Sequence, residues 1–516
     1  MWRITSLSLA LISICILAYY TIVCIEYVQL PSLFDHIEPS IICLAQLVTL
    51  GKSIYSDIDG PDIHGFFYGP STYLAFSLPL ILPINPMIAC KIMGVLLGIG
   101  SLLLLLISLS RLFSRKIALI STAICAIIFL MLGHCSFSVR ADSVVIFAIS
   151  LICLGKTVKN INLGIIISSF GAAIAVSSKV HALLYVVPIL LAYGPPIGRK
   201  PLIKITIVSI MLFLLPFTFY HVFSIDGFAR WLLMSLKHRF SINILRHNFQ
   251  FVMTIIFPLI VFAGIDFLGN RGKLIRRHAT MSSIIVALIC VLVVCLIASK
   301  AGAGLPHLLP FGFVNSFALA AYLSRIDHEK TARLLHPFSF AKITAALCIP
   351  IWFLVIVSSL ISTQKAFMRD LKDNRRPSIN QELSIILDKY GKMSMAMGYS
   401  CNEAYDVAFY KPLIFKSTKE IFIDAAALMD IREAGRKFPK KMFERIKTEY
   451  YDIFLIPFGC EPFSMDSFYD RQDLFSREFQ SEFLSNYILI DSSCYFGIWM
   501  ANRLYPAENR TPSMPQ

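Results

Sequence analysis

The stretch EYVQLPSLFDHIEPSIICLAQLVTLGKSIYSDIDGPDIHGFFYGPSTY, residues 26–73, is the first polar break in a chain that is otherwise apolar over roughly its first seventy per cent. Glu26, Asp35, Glu38, Asp57, Asp59 and Asp62 stand in it against Lys52, a net charge of about −5. Ahead of it lies an apolar run at 4–25, preceded only by Arg3, and about 22 apolar residues suffice to cross a hydrocarbon core. A secretory leader would be shorter and end in small residues, whereas Glu26 and the bulky Tyr27 follow here. The run reads as a retained first helix, and the polar stretch as the loop into which it opens.

The rest of the chain agrees with that start. Of 516 residues, 56% are hydrophobic and 15% charged, and the mean hydropathy is +0.69, too apolar for a water-soluble chain of this length. The net charge of +15 does not mark a nucleic-acid binder, because Lys and Arg fall mainly in short connections between apolar runs. Such runs recur at 4–25, 87–109, 117–133, 142–155, 161–178, 180–193, 202–222, 250–268, 281–299, 305–322 and 340–362, about eleven spans. Those at 142–155 and 180–193 are the shortest, and the run at 72–82, bracketed by prolines, reads as an interfacial helix. Counting from Arg3, the basic clusters at Arg111 to Lys116, Lys156 to Lys159, Arg199 to Lys204, Arg271 to Arg277 and Arg325 to Arg333 fall on one face, which the positive-inside rule makes cytoplasmic. The acidic loop lies opposite, and an odd number of spans puts the tail outside as well.

The fold class is therefore mainly α: a polytopic membrane protein with about eleven transmembrane helices in 1–365, the outer loop 26–73 included, and a small extracytoplasmic α/β domain in 366–516. In that tail, strand-like runs at 393–397, 452–458, 487–491 and 495–501 alternate with helix-like stretches such as 431–449. It carries no phosphate-cradling glycine loop, nucleophile elbow or metal motif, so acceptor recognition or a lid is the expected task. Ten of the thirteen cysteines precede residue 350 and sit mostly in apolar runs; Cys401, Cys460 and Cys494 in the tail allow one disulfide without specifying it.

Ionisable residues beside apolar spans are costly and mark candidate chemistry. Asp35 and Glu38 share a face if the segment is helical through them, so one could deprotonate an acceptor while the other orients it or holds a divalent cation. In the usual alternative they solvate the loop and cap a helix that starts at Pro39. The GKSIY run ending at Tyr55, and the run from His64 through Tyr68 to Tyr73, turn back to the membrane at Gly69 and Pro70 with aromatic faces that suit a sugar ring. Arg140 and Asp142 sit at a span boundary, and two apart on a helix they would not face each other, so each seeks a partner elsewhere. Lys179 and His181 repeat the situation on a neighbouring turn. The small-residue turn SKAGAGLPHLLPF, 299–311, offers backbone N–H groups with Lys300 and His307, donors suited to a phosphate. The loop 223–249 adds Arg230, Lys237, His238, Arg239, Arg246 and His247 on the outer side, where lipid headgroups or an anionic substrate would meet them.

In order along about the first 325 residues, these parts resemble the GT-C superfamily of integral membrane glycosyltransferases, in its protein-mannosyltransferase-like branch, family 39. The matching parts are the carboxylate Asp35 with Glu38 after the first span, Gly51 to Tyr55, the turn Tyr68, Gly69 and Pro70, Arg140 with Asp142, and the late turn from Lys300 to Phe311. The chain departs from the pattern where His36 and Ile37 separate the two acids and where Gly69 replaces the first of two prolines. The resemblance implies inverting transfer of a sugar from a polyprenyl-phosphate donor to an extracytoplasmic acceptor, whether glycan, lipid or protein. It implies Asp35 as general base, and Lys300, His307 and Arg239 as binders of the leaving phosphate. A multi-pass protein of the bacterial inner membrane, surrounded by membrane lipids and with its active site on the extracytoplasmic face, is the setting this implies. A transporter or flippase of lipid-linked substrates is the competing class; it would place binding residues near the midplane in repeated halves, and no internal repeat is visible.

Overall fold

The computed structural model describes residues 2–192, 198–270, 281–328 and 375–505, together with 358, 360, 361 and 365. Uniformly apolar sequence gives helices that are greasy all round. Among these are α1 (Trp2–Gln29), α4 (Pro86–Leu112), α5 (Arg115–Met131), α6 (Ala141–Thr157), α7 (Ile161–Ser178), α8 (Leu183–Ala192), α9 (Arg199–Leu214) and α11 (Ile242–Asn270), followed by helices at Met281–Ile297 and Phe311–His328. Short helices α2 (Ile37–Thr49) and α3 (Pro70–Ser77) belong to the opening loop, and α10 (Ile225–Ser235) to the loop before α11. Among the described residues, four stretches, Ser8–Gln29, Pro86–Leu112, Ile161–Ser178 and Arg199–Thr218, are long and apolar enough to cross a membrane. They leave Leu9, Ile12 and Ile22 of α1, Leu96 and Leu103 of α4, and Ile207 and Met211 of α9 exposed, a surface that suits lipid and not water. The chain is an integral membrane protein. Helices occupy ten of the eleven expected runs, but α6 and α8 have only 17 and 10 residues, so helices alone do not establish eleven crossings. The run at 340–362 lies almost wholly outside the described residues.

Close packing among these helices follows from small residues. A Cβ on Gly171 of α7 would stand 2.5 Å from the Ala148 carbonyl oxygen of α6, and one on Gly164 would stand 2.6 Å from that of Gly155. The glycines let α6 and α7 touch along their backbones, as interfaces in lipid favour. One buried core runs through this bundle, with Tyr20, Leu105, Phe129, Ile149, Tyr185 and Phe313 in it. A second core joins α2 and α3 to the tail, from Ile41 and Tyr73 to Phe454 and Phe475.

The tail carries a four-stranded sheet in the order β1-β2-β4-β3, with β1 (Met395–Met397), β2 (Ile453–Pro457), β3 (Tyr487–Ser492) and β4 (Phe496–Ala501). β1 and β2 are parallel, while β4 pairs antiparallel with β2 and β3. All four coincide with the expected runs. The expected helix at 431–449 is broken instead: Ala425–Glu433 ends at Gly435, whose φ of +76° no helix continues, and Met442–Lys447 begins after Pro439. The run at 72–82 is helical as expected, forming α3 with a 3₁₀ turn at Leu78–Ile81. Cys401 is disulfide-bonded to Cys460, a pairing that spacing did not specify.

The tail is joined to the opening loop by backbone and charge. The Ile63 N–H donates to the Phe422 carbonyl at 2.8 Å, and the Asp424 N–H donates to the Ile63 carbonyl at 2.8 Å. Lys411 Nζ pairs with Asp424 at 2.6 Å and donates to Ser40 Oγ at 3.0 Å, and Arg445 grips Asp62 at 2.6 and 3.1 Å.

Candidate functional site

Between α1 and α2 the loop brings its two acids to different places. Asp35 stands just before α2, and its Oδ1 accepts the backbone N–H groups of Ile37 at 2.9 Å and Glu38 at 3.2 Å, satisfying donors that a helix start leaves free. The helix therefore starts at Ile37 and not at Pro39, and Asp35 lies outside it. The helical face that the spacing offers to Asp35 and Glu38 does not form. Glu38 is fully buried and accepts from the Tyr27 hydroxyl at 2.5 Å and from the backbone N–H groups of Phe34 at 2.6 Å and Val139 at 3.2 Å.

Asp35 faces the other way, into a chain of charges. Its Oδ2 accepts from the Arg140 guanidinium and lies 3.1 Å from His134 Nε2, whose ring stacks on Phe34 at 5.0 Å. Arg140 caps α6 with extended backbone, φ −137° and ψ 155°, so its Nε reaches Asp142 Oδ2 at 3.3 Å although the two are only two residues apart. The expectation that they could not meet assumed a helix at both residues. Each also has a distant partner, Arg140 in Asp35 and Asp142 in Lys179, whose Nζ donates to Asp142 Oδ1 at 2.6 Å. Lys179 Nζ in turn lies 5.5 Å from the centre of the Tyr68 ring. Burial disfavours charge on Asp35, but Arg140 and His134 outweigh it and hold the carboxyl well below its usual range. Asp35 is thus ionised at neutral pH. Two donors on each oxygen fill its four acceptor positions.

Lys179 links this chain to a cavity of about 360 Å³ whose walls include Lys179, His181, His238, Lys300, His307 and Asp430. His181 and His307 are stacked with ring centres 4.7 Å apart. Their buried atoms His181 Nε2 and His307 Nδ1, and His238 Nε2, have no hydrogen-bond partner among the described residues. Lys300 Nζ donates to the Leu236 and Ser235 carbonyls at 2.8 and 3.4 Å, at the end of α10 where a cation is favoured, and among the described residues no carboxylate neutralises it. The turn carrying it is glycine-dependent, with φ of +79° at Gly302 and +123° at Gly304. Its amides are less available than their small side chains suggest: Ala301 N–H donates to the Arg239 carbonyl and Ala303 N–H to that of Lys300.

Of the residues singled out from sequence, Asp35, Arg140, Asp142 and Lys179 form one ionic chain with Tyr68 beside it, and Lys179, Lys300 and His307 share the cavity. Glu38 is enclosed elsewhere. Tyr55 supports the loop, its hydroxyl donating to the Tyr68 carbonyl at 2.9 Å, and His64 folds against its own loop, with Nε2 3.4 Å from the Ser53 carbonyl oxygen. Arg239 is held by Glu433 of the tail through its backbone N–H, Nε and Nη2 at 3.1, 2.9 and 2.8 Å. Sequence reasoning missed His134, 99 residues from its partner Asp35, and Asp430 in the tail. A polar His in the connection ahead of Arg140 was the only signal for the first.

No sequence family matches the chain, and no curated protein is similar to it. Among solved structures, ArnT from Cupriavidus metallidurans in the apo state is similar at a TM-score of 0.49 and 10% identity, over 96% of this chain and 97% of that one. The Archaeoglobus fulgidus oligosaccharyltransferase, tethered to an acceptor peptide, is similar at a TM-score of 0.41 and 9% identity, over 79% of this chain and 63% of that one. Likeness at this level concerns the course of the chain and assigns it no activity.

Proposed function

We propose that the protein is an integral membrane glycosyltransferase of the GT-C type, which moves a sugar with inversion from a polyprenyl-phosphate carrier to an acceptor outside the cytoplasm. One observation carries this reading: an ionised carboxylate touching an imidazole is wired, through Arg140, Asp142 and Lys179, to a cavity where, among the described residues, a lysine has no neutralising carboxylate and the stacked rings of His181 and His307 each have an unpartnered nitrogen. Proton removal and anion binding side by side, among helices that face lipid, are what transfer from a lipid phosphate requires.

In this reading the acceptor oxygen attacks the anomeric carbon, the carbon–oxygen bond to phosphate breaks, and its electron pair leaves on the polyprenyl phosphate. Lys300 and His307 stabilise the charge that develops there. Asp35 and His134 act as a pair on the acceptor proton. Because the acceptor positions of Asp35 are filled, the carboxylate orients the ring by receiving Nε2–H, and His134 Nδ1 takes the proton. The base expected at Asp35 is thus exercised through His134, Glu38 is a support, and Arg239 holds the tail. The two acids are too differently engaged to share a divalent cation as they stand. The disulfide Cys401–Cys460 supports an oxidising, extracytoplasmic location for the tail; the bacterial inner membrane is the setting that the family resemblance implies.

Deletion of the gene should cause a polyprenyl-phosphate sugar to accumulate and a surface glycoconjugate to lose that sugar. The wild-type chain should restore both, whereas Asp35→Asn and His134→Gln, present at normal level in the membrane, should restore less than about one per cent of transfer. Full restoration by Asp35→Asn would sink the assignment of the ionic chain, and unchanged lipids in the deletion strain would sink the activity itself.

A further inference from the structure

One turn of the tail touches both the cavity and the loop that carries Asp35. Residues 466–473 double back on themselves: the Ser467 N–H donates to the Gln472 carbonyl at 2.9 Å, and the Leu474 N–H to that of Met465 at 2.8 Å. Arg432, on the helix Ala425–Glu433, fixes the turn by donating to Asp470 Oδ2 at 3.2 Å and Gln472 Oε1 at 2.7 Å, and Asn402 Oδ1 accepts the Asp466 N–H at 2.9 Å. Two neighbouring residues of the turn then part company. Tyr469 goes to the cavity, where its hydroxyl donates to Asp430 Oδ1 at 3.1 Å and a Cβ on Gly302 would stand 2.4 Å from it. Phe468 goes to the opening loop, its ring 6.3 Å from that of His36 and 5.6 Å from that of Tyr405.

His36 directly follows Asp35 and lies 6.2 Å from Tyr405, so one ring of the loop and two of the tail meet beside the carboxylate. Tyr405 is buried, whereas Phe468 is 38% exposed in a turn otherwise made largely of Asp, Arg and Gln. A single exposed ring is ordinary on a protein surface; this one is held by a braced turn next to the pair that takes the acceptor proton. His36 is partly exposed, spends no side-chain hydrogen bond on capping α2, and among the described residues no polar group holds its ring. Burial pushes its pKa down against the pull of Asp35 and Asp424, so at neutral pH the ring has one N–H to give and one lone pair to receive. A sugar unit has a face of C–H groups and a rim of hydroxyls. Phe468 backed by Tyr405 suits the first, and a neutral imidazole suits the second. An anionic group would call for a charged ring here, and an extended peptide for an unpaired strand edge.

We infer that Phe468, Tyr405 and His36 bind a sugar unit of the acceptor beside the Asp35–His134 pair, so that the tail recognises a glycan acceptor. The inference rests on the glycosyltransferase reading and gives it an acceptor class. Its test uses the full-length protein in detergent, with the polyprenyl-phosphate sugar extracted from the deletion strain as donor and the surface glycan of that strain, which lacks the sugar, as acceptor. Phe468→Ala and His36→Leu should each raise KM for the glycan about tenfold and change KM for the donor less than about twofold. Phe468→Tyr, which keeps a flat ring, should stay within about twofold of wild type for both. An unchanged glycan KM in both Phe468→Ala and His36→Leu, an equal rise for donor and glycan in both, or a Phe468→Tyr as poor as Phe468→Ala overturns the inference and leaves the transferase reading intact. Transfer by the wild-type protein to the protein fraction of that strain and not to its glycan does the same. If the wild-type protein consumes no donor with either fraction, the transferase reading fails and this one with it. Phe468 is on the surface of the tail and His36 in the opening loop, so misfolding of one variant would not hide the outcome of the other.

Discussion

Asp35 and Glu38 are both acids of one short loop, and their surroundings give them opposite tasks. Glu38 spends its oxygens on Tyr27, Phe34 and Val139 inside the protein, joining α1, the loop and the connection before α6. Glu38→Gln sets an amide NH₂ against donors, so it should destabilise the protein by about 1–3 kcal/mol, read as a lower unfolding temperature, with transfer falling only as folded protein is lost. A catalytic loss at full stability would show that Glu38 touches substrate. At this scale the sequence marks Asp35, Arg140 and Lys179 because charge beside apolar spans needs a reason. It does not reveal His134, since nothing local distinguishes a ring that meets its carboxylate across 99 residues.

Among the elements, α3 shows how a loop motif becomes architecture. Gly69 precedes α3 and donates its N–H to the Ser178 carbonyl at 3.1 Å, and a Cβ there would lie 1.8 Å from the Ser177 carbonyl oxygen. Gly69→Ala should push α3 away from the end of α7 and displace the neighbouring Lys179 and Tyr68. The expected outcome is a fall of at least tenfold in transfer with a measurable drop in stability, in the range of overpacked sites. Unchanged activity would mean that Tyr68 and Lys179 need not be held together. Most elements are legible from sequence, because apolar length sets the helices and short β-rich runs set the four strands. Where the reading fails, a local backbone requirement prevails: Gly435 and Pro439 break 431–449, and the cap from Asp35 starts α2 two residues before Pro39.

Taken whole, the molecule does not divide at the end of its apolar region. The second core runs from α2 and α3 into the tail, and Arg445–Asp62, the hydrogen bond from Lys411 to Ser40 and Arg239–Glu433 bind that tail to both loops around the cavity. With the tail outside, a periplasm-active reporter fused after Gln516 should be active and a cytoplasm-active one silent, and Cys401 and Cys460 should resist alkylation in intact cells until reduced. A cytoplasmic reporter signal would remove the extracytoplasmic site. The sequence by itself determined a membrane protein with a polar opening loop, a small sheet in its tail and a set of misplaced charges, because hydropathy, run length and charge are local quantities. Only the tertiary structure decided that Asp35 meets His134 and Arg140, that Glu38 does not join them, and that Asp430 closes a cavity with His238. Those partners lie tens to hundreds of residues apart, and burial, which sets what a charge can do, exists only once the chain has packed.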